Sequence, residues 1–307
     1  TGAGAAMRLG IDLGGTKIAA VVLNPAGLAV WEARRPTPHD DYEGTIRAIA
    51  ALVHEGERVA AARCSIGVGT PGALTPSTGR MKNANSTWLN GRPLVSDLEA
   101  ALGRPVRLAN DANCLAMSEA ADGAAAGAGV VFAAILGTGV GGGLVVDGVP
   151  LGGANAIAGE WGHNPLPWPR DEERPGPACY CGRAGCIETF VSGPGLAADH
   201  ARLTGALVAA EEVVRLAGAG DPPAVRALAA WHDRLARSLA TVVNLVDPDV
   251  IVVGGGLSRI DSLYREVPER WRAWVFSDQV ATRLVPAAHG DASGVRGAAR
   301  LWEQPGS

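Results

Sequence analysis

Cysteine is scarce, with five residues in a chain of 307. An odd count, with no apolar leader ahead of Met7, argues against a disulfide framework and for a reducing cytoplasm. A charge excess is also missing. The formal net charge is −4, which leaves no electrostatic footprint for nucleic acid. Nor is there a clean apolar run of membrane length. Gly123–Val146 carries no charge, but a third of it is glycine and "GTGVGGG" interrupts it, so no membrane span is expected. Thr1–Ala6 are left out of the fold reading.

What is present fits a folded globular chain: 47% hydrophobic residues, 19% charged, and a length that suits two domains. The 42 glycines point to tight turns and to backbone that approaches ligands closely. From Met7, "MRLGIDLGGTKIAAVVLNPAGLAVWEARRPTP" reads as three strands, with turns at Gly14–Gly15 and Pro25–Gly27. Ile46, Ile49, Ala50 and Val53 then share a helix face. "CSIGVGTPGAL" gives a buried strand and a loop, and "VRLANDANCLAMSEAADGAA" a strand, a polar turn and a helix. The pattern restarts at Val130, where "VVFAAILGTGVGGGLVVDGVPLGG" is strand, glycine turn, strand, turn. Leu228, Leu235, Leu239, Val242 and Val246 mark a long amphipathic helix, which leads into the buried strand of "DPDVIVVGGGLS". A short helix around Val295–Trp302 closes the chain. A β-β-β-α-β unit thus occurs twice. The class is α/β, and two such halves facing one another would form a cleft with both glycine turns at its floor.

Four stretches carry chemistry. In "GIDLGGTK" an acidic residue ends a strand and a Gly-Gly-Thr turn follows. Backbone amides there can cradle phosphate, Thr16 adds a hydroxyl, and Asp12 can hold Mg²⁺. The same residues would equally serve a plain hairpin. "GTGVGGG", Gly137–Gly143, contains the dinucleotide fingerprint, but "LVVDG" after it is a strand where that fingerprint needs a helix. A second phosphate-binding hairpin fits better. "LANDANC" sets Asn110 and Asp111 at a strand end, where a carboxylate can take a proton from a substrate hydroxyl or simply cap a helix. Last, Glu160 and His163 precede Cys179, Cys181 and Cys186. Three thiolates in Cys-x-Cys-x₄-Cys, with an imidazole sixteen residues ahead, make a closed Cys₃His set for structural zinc. "CYCGRAGC" is too polar for a core strand, whereas Cys64 and Cys114 sit in apolar contexts and read as buried thiols.

Taken in order, "GIDLGGTK", "GTPGAL", "NDAN", "GTGVGGG", "GEWGH", "CYCGRAGCIE" and "VVGGG" resemble the ROK family of sugar kinases across nearly the whole chain. The resemblance implies a duplicated actin/hexokinase-like (ribonuclease H-like) ATPase fold, with two domains around a cleft. The domains expected are residues 7–115, joined by the C-terminal helix at about 293–307, and residues 116–292, which carry the zinc loop. Asp111 would be the general base, and Asn85, Asn110, Glu160, His163 and Glu188 would bind sugar hydroxyls. Asp12, Gly14, Gly15, Thr16, Lys17, Gly137, Thr138 and Gly139 would line the phosphates of ATP–Mg²⁺, with Gly254, Gly255 and Gly256 near the adenosine. His163, Cys179, Cys181 and Cys186 would hold Zn²⁺. "KNANSTWLNG", "GEWGHNPLPW" and "CYCGRAGCIETF" look most like the bacterial fructokinases of the manno(fructo)kinase type. Fructose, or mannose, phosphorylated at its 6-hydroxyl is therefore the expected reaction. A glucokinase, an N-acetylhexosamine kinase or a non-catalytic sugar sensor are the rivals. The partners implied are a hexose, ATP and a second copy of the chain, in the cytoplasm, with neither nucleic acid nor membrane; the helix-turn-helix domain of the family's repressors is not expected ahead of Met7. The proline- and charge-rich "PWPRDEERPGP" has no family-based reading.

Overall fold

The computed structural model describes residues 7–303. An antiparallel meander of β1 (Arg8–Leu13), β2 (Lys17–Leu23) and β3 (Ala29–Pro36) is followed by α1 (Tyr42–Ala60) and β4 (Ser65–Thr70). A small hairpin of β5 (Ala73–Leu74) and β6 (Met81–Lys82) precedes α2 (Leu94–Leu102), β7 (Val106–Asn110) and α3 (Asp111–Asp122). Then come β8 (Val130–Leu136), β9 (Val140–Val146) and β10 (Val149–Pro150). Four helices follow: α4 (Ile187–Val191), α5 (Gly193–Thr204), α6 (Ala210–Gly218) and α7 (Pro222–Val246). The described chain closes with β11 (Val250–Gly254), α8 (Leu263–Trp271), β12 (Arg283–Pro286) and α9 (Ser293–Ala299).

The strands form two five-stranded sheets, ordered β3-β2-β1-β4-β7 and β10-β9-β8-β11-β12. In the first, β4 lies parallel to β1 and β7 parallel to β4; in the second, β11 lies parallel to β8 and β12 parallel to β11. The two orders correspond strand for strand, so the repeat read in the sequence is a repeat in space. No helix among the described residues is long and apolar enough to cross a membrane.

The chain divides into two compact units. One comprises residues 1–128, 143–158 and 288–307, and the other residues 129–142 and 159–287. The expected boundary at 115/116 falls inside α3, a helix that belongs whole to the first unit. The segment 143–158, expected in the second domain, is also grouped with the first unit, as is α9. Of the C-terminal helix expected at about 293–307, α9 ends at Ala299 and residues 304–307 lie outside the described chain, as do Thr1–Ala6.

In the first unit the period-two alternation of the parallel strands separates two faces. Leu9, Ile11 and Leu13 of β1 and Ile66 and Val68 of β4 pack with Ile49, Leu52 and Val53 of α1 in one buried cluster. The opposite face carries Gly10 and Gly67, where α9 lies so close that a Cβ would overlap the carbonyl oxygens of Val295 and Ala298. Gly297 meets the Cys114 carbonyl of α3 in the same way. Helix α1 starts at Asp41, whose carboxylate accepts from Gly44 N, and stops at Ala61 in the left-handed conformation.

In the second unit α7 runs from an Asp221 cap through Pro222 and Pro223, and buries Trp231, Leu235, Leu239 and Val243. It also buries Arg234 and Arg237, and these account for "PWPRDEERPGP". Glu173 of that stretch is buried and accepts from Arg234 Nε at 2.7 Å and from Arg237 Nη2 at 2.8 and 2.9 Å. Arg237 Nη1 donates to the Pro167 and Trp168 carbonyls at 2.9 and 2.8 Å. Burial works to raise the Glu173 pKa, but Arg237, the Arg170 amide and Arg234 hold it below the usual carboxylate value. The stretch is pinned to α7.

The glycine contacts make a stability prediction. Gly297→Ala must push α9 off α3, and overpacking of this kind costs about 1–3 kcal/mol. Gly218→Ala ends α6 in open space and is expected to be neutral or to stabilise by up to about 1 kcal/mol. Urea midpoints of the two variants against wild type check the contrast.

Candidate active site and metal centre

The expected residues of the first unit gather at one edge of its sheet. β1, β4 and β7 run parallel, and their registers pair Asp12 with Gly69 and Thr70 with Asn110. Asp12, Asn110 and Asp111 therefore emerge at the carboxyl ends of neighbouring strands, the edge where open α/β sheets bind ligands. Gly14 N bonds to Lys17 O at 3.0 Å and closes the first glycine turn, with Thr16 and Lys17 exposed. No polar turn separates β7 from α3, contrary to expectation. Asn110 ends the strand and caps the helix, its Oδ1 accepting from Ala112 N at 2.9 Å while its Nδ2 donates to Gly72 O at 3.2 Å. Asp111 is the first helical residue, and its Oδ1 accepts from the same amide at 2.8 Å. The capping alternative thus holds for Asn110, and Asp111 has its carboxylate oriented by the helix start. Asn85 is exposed in the loop after β6, a loop closed by reciprocal bonds between Asn90 and Ala84 at 2.9 Å.

The electrostatics tie these carboxylates together. Burial raises the Asp12 pKa, and Lys17 and Arg34 offset it only in part. Cys114 is fully buried, and its thiol is pushed well above its usual value by burial and then by the charges of Asp12 and Asp111. One thiol thus feels both carboxylates. Beside Asn110 lies a cavity of about 510 Å³ lined in part by Leu74, Leu108, Asn113, Met117 and Val149.

The second unit holds the other glycine turn. Gly137–Gly139 joins β8 to β9 directly, with no helix after it, as argued against the dinucleotide reading. Parallel β11 ends beside it at Gly254, and Gly255 adopts φ +83° with no room for a side chain against the Leu136 carbonyl. Gly193 N, at the start of α5, donates to Gly137 O at 2.8 Å. A cleft of about 820 Å³ is lined in part by Gly137, Thr138 and Gly256 and by the apolar Leu207, Val208, Ala209 and Leu257. Its volume lies in the range of nucleotide-sized sites. The Leu207–Ala209 wall carries no motif and was not foreseen.

Glu160, His163 and Glu188 also lie in this unit. Glu160 and His163 flank a single 3-10 turn, Trp161–His163, which replaces the helical spacing considered for them. Glu188, in the first turn of α4, accepts from Val140 N at 2.8 Å, and a Cβ at Gly139 would stand 2.7 Å from its Oε2. It therefore touches the glycine turn itself, a role that its place after Cys186 did not reveal.

The cysteines converge as their spacing suggested. His163, Cys179, Cys181 and Cys186 offer four ligand atoms within 4.8 Å of one another. Cys179 Sγ lies 3.6 Å from His163 Nδ1, and Cys181 Sγ lies 3.6 Å from Cys186 Sγ. A tetrahedron with bonds of about 2.0–2.3 Å places its corners about 3.3–3.8 Å apart, the spacing of these two pairs, so the set could hold one ion. Backbone bonds knit the surrounding segments: Leu166 N to Gly185 O, Ile187 N to Asn164 O and Cys179 N to Arg183 O, at 2.7–2.9 Å. Arg183 pulls the Cys181 thiol down to about 6, which favours thiolate, the ligating form. Cys64 and Cys114 are buried free thiols, as read. His163 Nε2 meets the hydroxyl of Tyr180 at 2.9 Å. Although the residue as a whole is exposed, desolvation at the hydroxyl, then Glu188 and Glu160, push it up to about 12. Tyr180 carries no signal in the spacing, although it is the single aromatic residue between the cysteine ligand candidates.

Comparison with known proteins agrees with this geometry. The chain is 40% identical over 299 residues to an N-acetyl-D-glucosamine kinase of Pectobacterium atrosepticum, covering 96% of this chain and 98% of the relative. Among solved structures it resembles a ROK hexokinase from Thermus thermophilus, with 35% identity, a TM-score of 0.86 and 96% and 97% of the two chains covered. It also resembles a ROK family glucokinase from Streptomyces griseus in complex with glucose and AMPPNP, with 28% identity, a TM-score of 0.76 and coverage of 96% and 98%. Residues 8–305 match the ROK family, and with two sheets of one design, two glycine turns and the Cys₃His cluster in place, this chain belongs to that family, as a sugar kinase.

Proposed function

We propose that the protein is an ATP-dependent N-acetylglucosamine kinase that phosphorylates the 6-hydroxyl of its sugar, with Asp111 as general base. The observation that carries the chemistry is the placement of Asp111: a carboxylate oriented by the α3 amides, at the carboxyl edge of the sheet, in the same electrostatic field as Asp12. The sugar follows from the relatives named N-acetyl-D-glucosamine kinase. The largely apolar cavity beside Asn110 supports it, since an acetamido methyl needs apolar space and fructose brings none. The fructose preference expected from the motifs finds no support among these relatives and becomes the second reading.

In this assignment Asn85, Asn110, Glu160, His163 and Glu188 bind sugar hydroxyls, and Asp111 accepts the proton of the attacking one. Gly14, Gly15, Thr16 and Lys17 are assigned amides, a hydroxyl and an ammonium for phosphate oxygens, and Gly137, Thr138 and Gly139 amides and a hydroxyl for the same chemistry. Gly254–Gly256 and the Leu207–Ala209 wall take the adenosine. Asp12 suits Mg²⁺, because a desolvated carboxylate gains most from a nearby cation, and the ion would neutralise phosphate charge. The Cys₃His set suits Zn²⁺ in a closed, structural site. Zinc on His163 Nδ1 leaves Nε2–H as a donor of fixed direction, and such donors normally aim at a defined acceptor.

The reading is tested by coupled ADP release over N-acetylglucosamine, N-acetylmannosamine, glucose, fructose and mannose. N-acetylglucosamine is expected to give the highest kcat/KM; fructose in first place would restore the second reading. Asp111→Asn keeps size and the Ala112 bond but loses the proton acceptor, so turnover should fall by about 10²–10⁴ with little change in sugar affinity. Near-wild-type turnover would reduce Asp111 to part of the cap.

Asp12→Asn separates stability from function. The folded-state pKa of Asp12 is raised, so ionisation is penalised in the fold and stability falls as pH rises from the unfolded value, about 3.9, through the folded one. The variant should unfold at a higher temperature than wild type near neutral pH, with the gap shrinking as pH falls toward about 4, while turnover at limiting Mg²⁺ drops. A lower midpoint at neutral pH would show that Asp12 is paired rather than desolvated.

Structural zinc contributes on the order of 10 kcal/mol in small sites, so Cys181→Ala should lose bound zinc and thermal stability together. Sugar affinity should fall as well, because His163 and Glu188 are set by the same loop. A folded, zinc-free variant with unchanged sugar affinity would leave the cluster as a local staple.

A further inference from the structure

We propose that Tyr180 is an internal stand-in for a sugar hydroxyl: its phenol holds His163 Nε2 in the sugar-free protein, and substrate must displace it. The inference rests on the assignment of His163 as a sugar-binding donor.

Its backbone is the first point. Cys179 and Cys181, two of the four metal-site residues, lie on either side of Tyr180. Gly182 N bonds to Cys179 O at 3.0 Å and Cys179 N to Arg183 O at 2.7 Å, so Tyr180 occupies the second position of a tight turn. The main chain there is held on both sides. Only the two side-chain torsions are left to move the ring.

Exposure is the second. Tyr180 is 82% exposed, so no burial of the ring holds it in place. The contacts that hold it are the edge-on ring contact with His163, centroids 5.1 Å apart, and the 2.9 Å bond from Nε2 to its hydroxyl. Breaking a bond of this kind costs about 0.5–1.5 kcal/mol net, and an exposed ring that swings outward gives up little else.

Chemistry is the third. With Nδ1 turned to Cys179 Sγ at 3.6 Å, Nε2 is the nitrogen that metal binding leaves protonated. The phenol oxygen accepts from it, as an alcohol oxygen of a sugar would. The phenol therefore occupies the nitrogen assigned to a sugar hydroxyl. An exposed side chain in that position competes with the ligand, and the competition enters as a smaller fraction of binding-competent protein.

The test is Tyr180→Phe, which keeps the ring and removes the hydroxyl. Sugar binding is measured by calorimetric titration of the zinc-loaded protein without nucleotide, using the best substrate of the ADP-release series. KM, kcat and zinc content are measured in parallel. Removal of a competing bond worth about 0.5–1.5 kcal/mol should tighten sugar Kd by about 2- to 10-fold, with KM following and the change falling on binding rather than on kcat. An unchanged Kd would show that the phenol does not compete, and a weaker one that it is itself a sugar ligand. Loss of zinc in the variant would show that the hydroxyl maintains the metal site instead. Each of these three results overturns the proposal. Failure of the proposed function is distinguishable, since wild type itself would then neither bind nor phosphorylate any hexose, whereas failure of the His163 assignment alone leaves wild-type binding intact and the Tyr180→Phe Kd unchanged.

Discussion

Backbone laid directly on backbone organises the first unit. α9 rests on the face of the sheet where Gly10 and Gly67 stand, and Gly297 of α9 meets the main chain of α3 at Cys114. Contacts of this closeness admit no side chain, so α9, α3 and the strands fit in one relative position only. That position sets the chemistry. Asp12 lies on the same face of β1 as Gly10, two residues further on, and its carboxylate comes within 3.3 Å of where a Cβ at Gly294 would stand. Asp111 opens α3, the helix that Gly297 touches. The strands could tolerate other large residues on the α1 side, but on this side a methyl group would displace both carboxylates.

A second constraint closes the same assembly. Glu119, near the end of α3, is fully buried and accepts from Ala124 N, Ala288 N, His289 N and Ser293 Oγ, at 2.8–3.1 Å. A buried carboxylate with four donors is satisfied, and removing any of its partners would leave a charge in low dielectric. It binds the chain leaving α3 and the chain entering α9 to one side chain. In the second unit Asp249 does the corresponding work, accepting from Gly129 N and Val130 N at 2.9 and 2.8 Å. Each unit therefore fixes with a carboxylate the point where the chain enters or leaves it.

These two constraints differ in how far they could be read beforehand. The strands, their glycine turns and the doubled β-β-β-α-β order were legible because periodicity and turn residues are local signals. The Cys₃His cluster was legible because ligand chemistry restricts which residues and spacings work. Glu119 was not. In "SEAADG" it looks like any helix-surface glutamate, and three of its four donors lie more than 160 residues away. "PWPRDEERPGP" was opaque for the same reason, since Arg234 and Arg237 are about 60 residues beyond Glu173. Asn110 and Asp111 could not be told apart as cap and first helical residue from composition alone. The choice of sugar was least legible of all. It turns on the shape of cavities such as that beside Asn110, and shape comes from backbone positions that no motif spells out.

The Cys₃His cluster, as the proposed metal site, gives a reason why a sugar kinase would keep a structural ion close to the groups proposed for substrate. A loop of glycines and exposed residues, such as Cys179–Cys186, has little apolar surface to bury and no long hydrogen-bonded ladder. Its order must come from elsewhere, and four ligand atoms within 4.8 Å provide it at a few points rather than over an area. Those points are adjacent to the side chains proposed to bind sugar: His163 is one of the four, Tyr180 lies between two of them, and Glu188 is two residues past the last. Glu188 then carries the same order into the glycine turn through its bond to Val140 N. A hydrophobic anchor in this place would have walled off the polar groups that a sugar needs. A metal ion held there would rigidify the loop and leave its surface wet, so the groups proposed for recognition would stay both fixed and accessible.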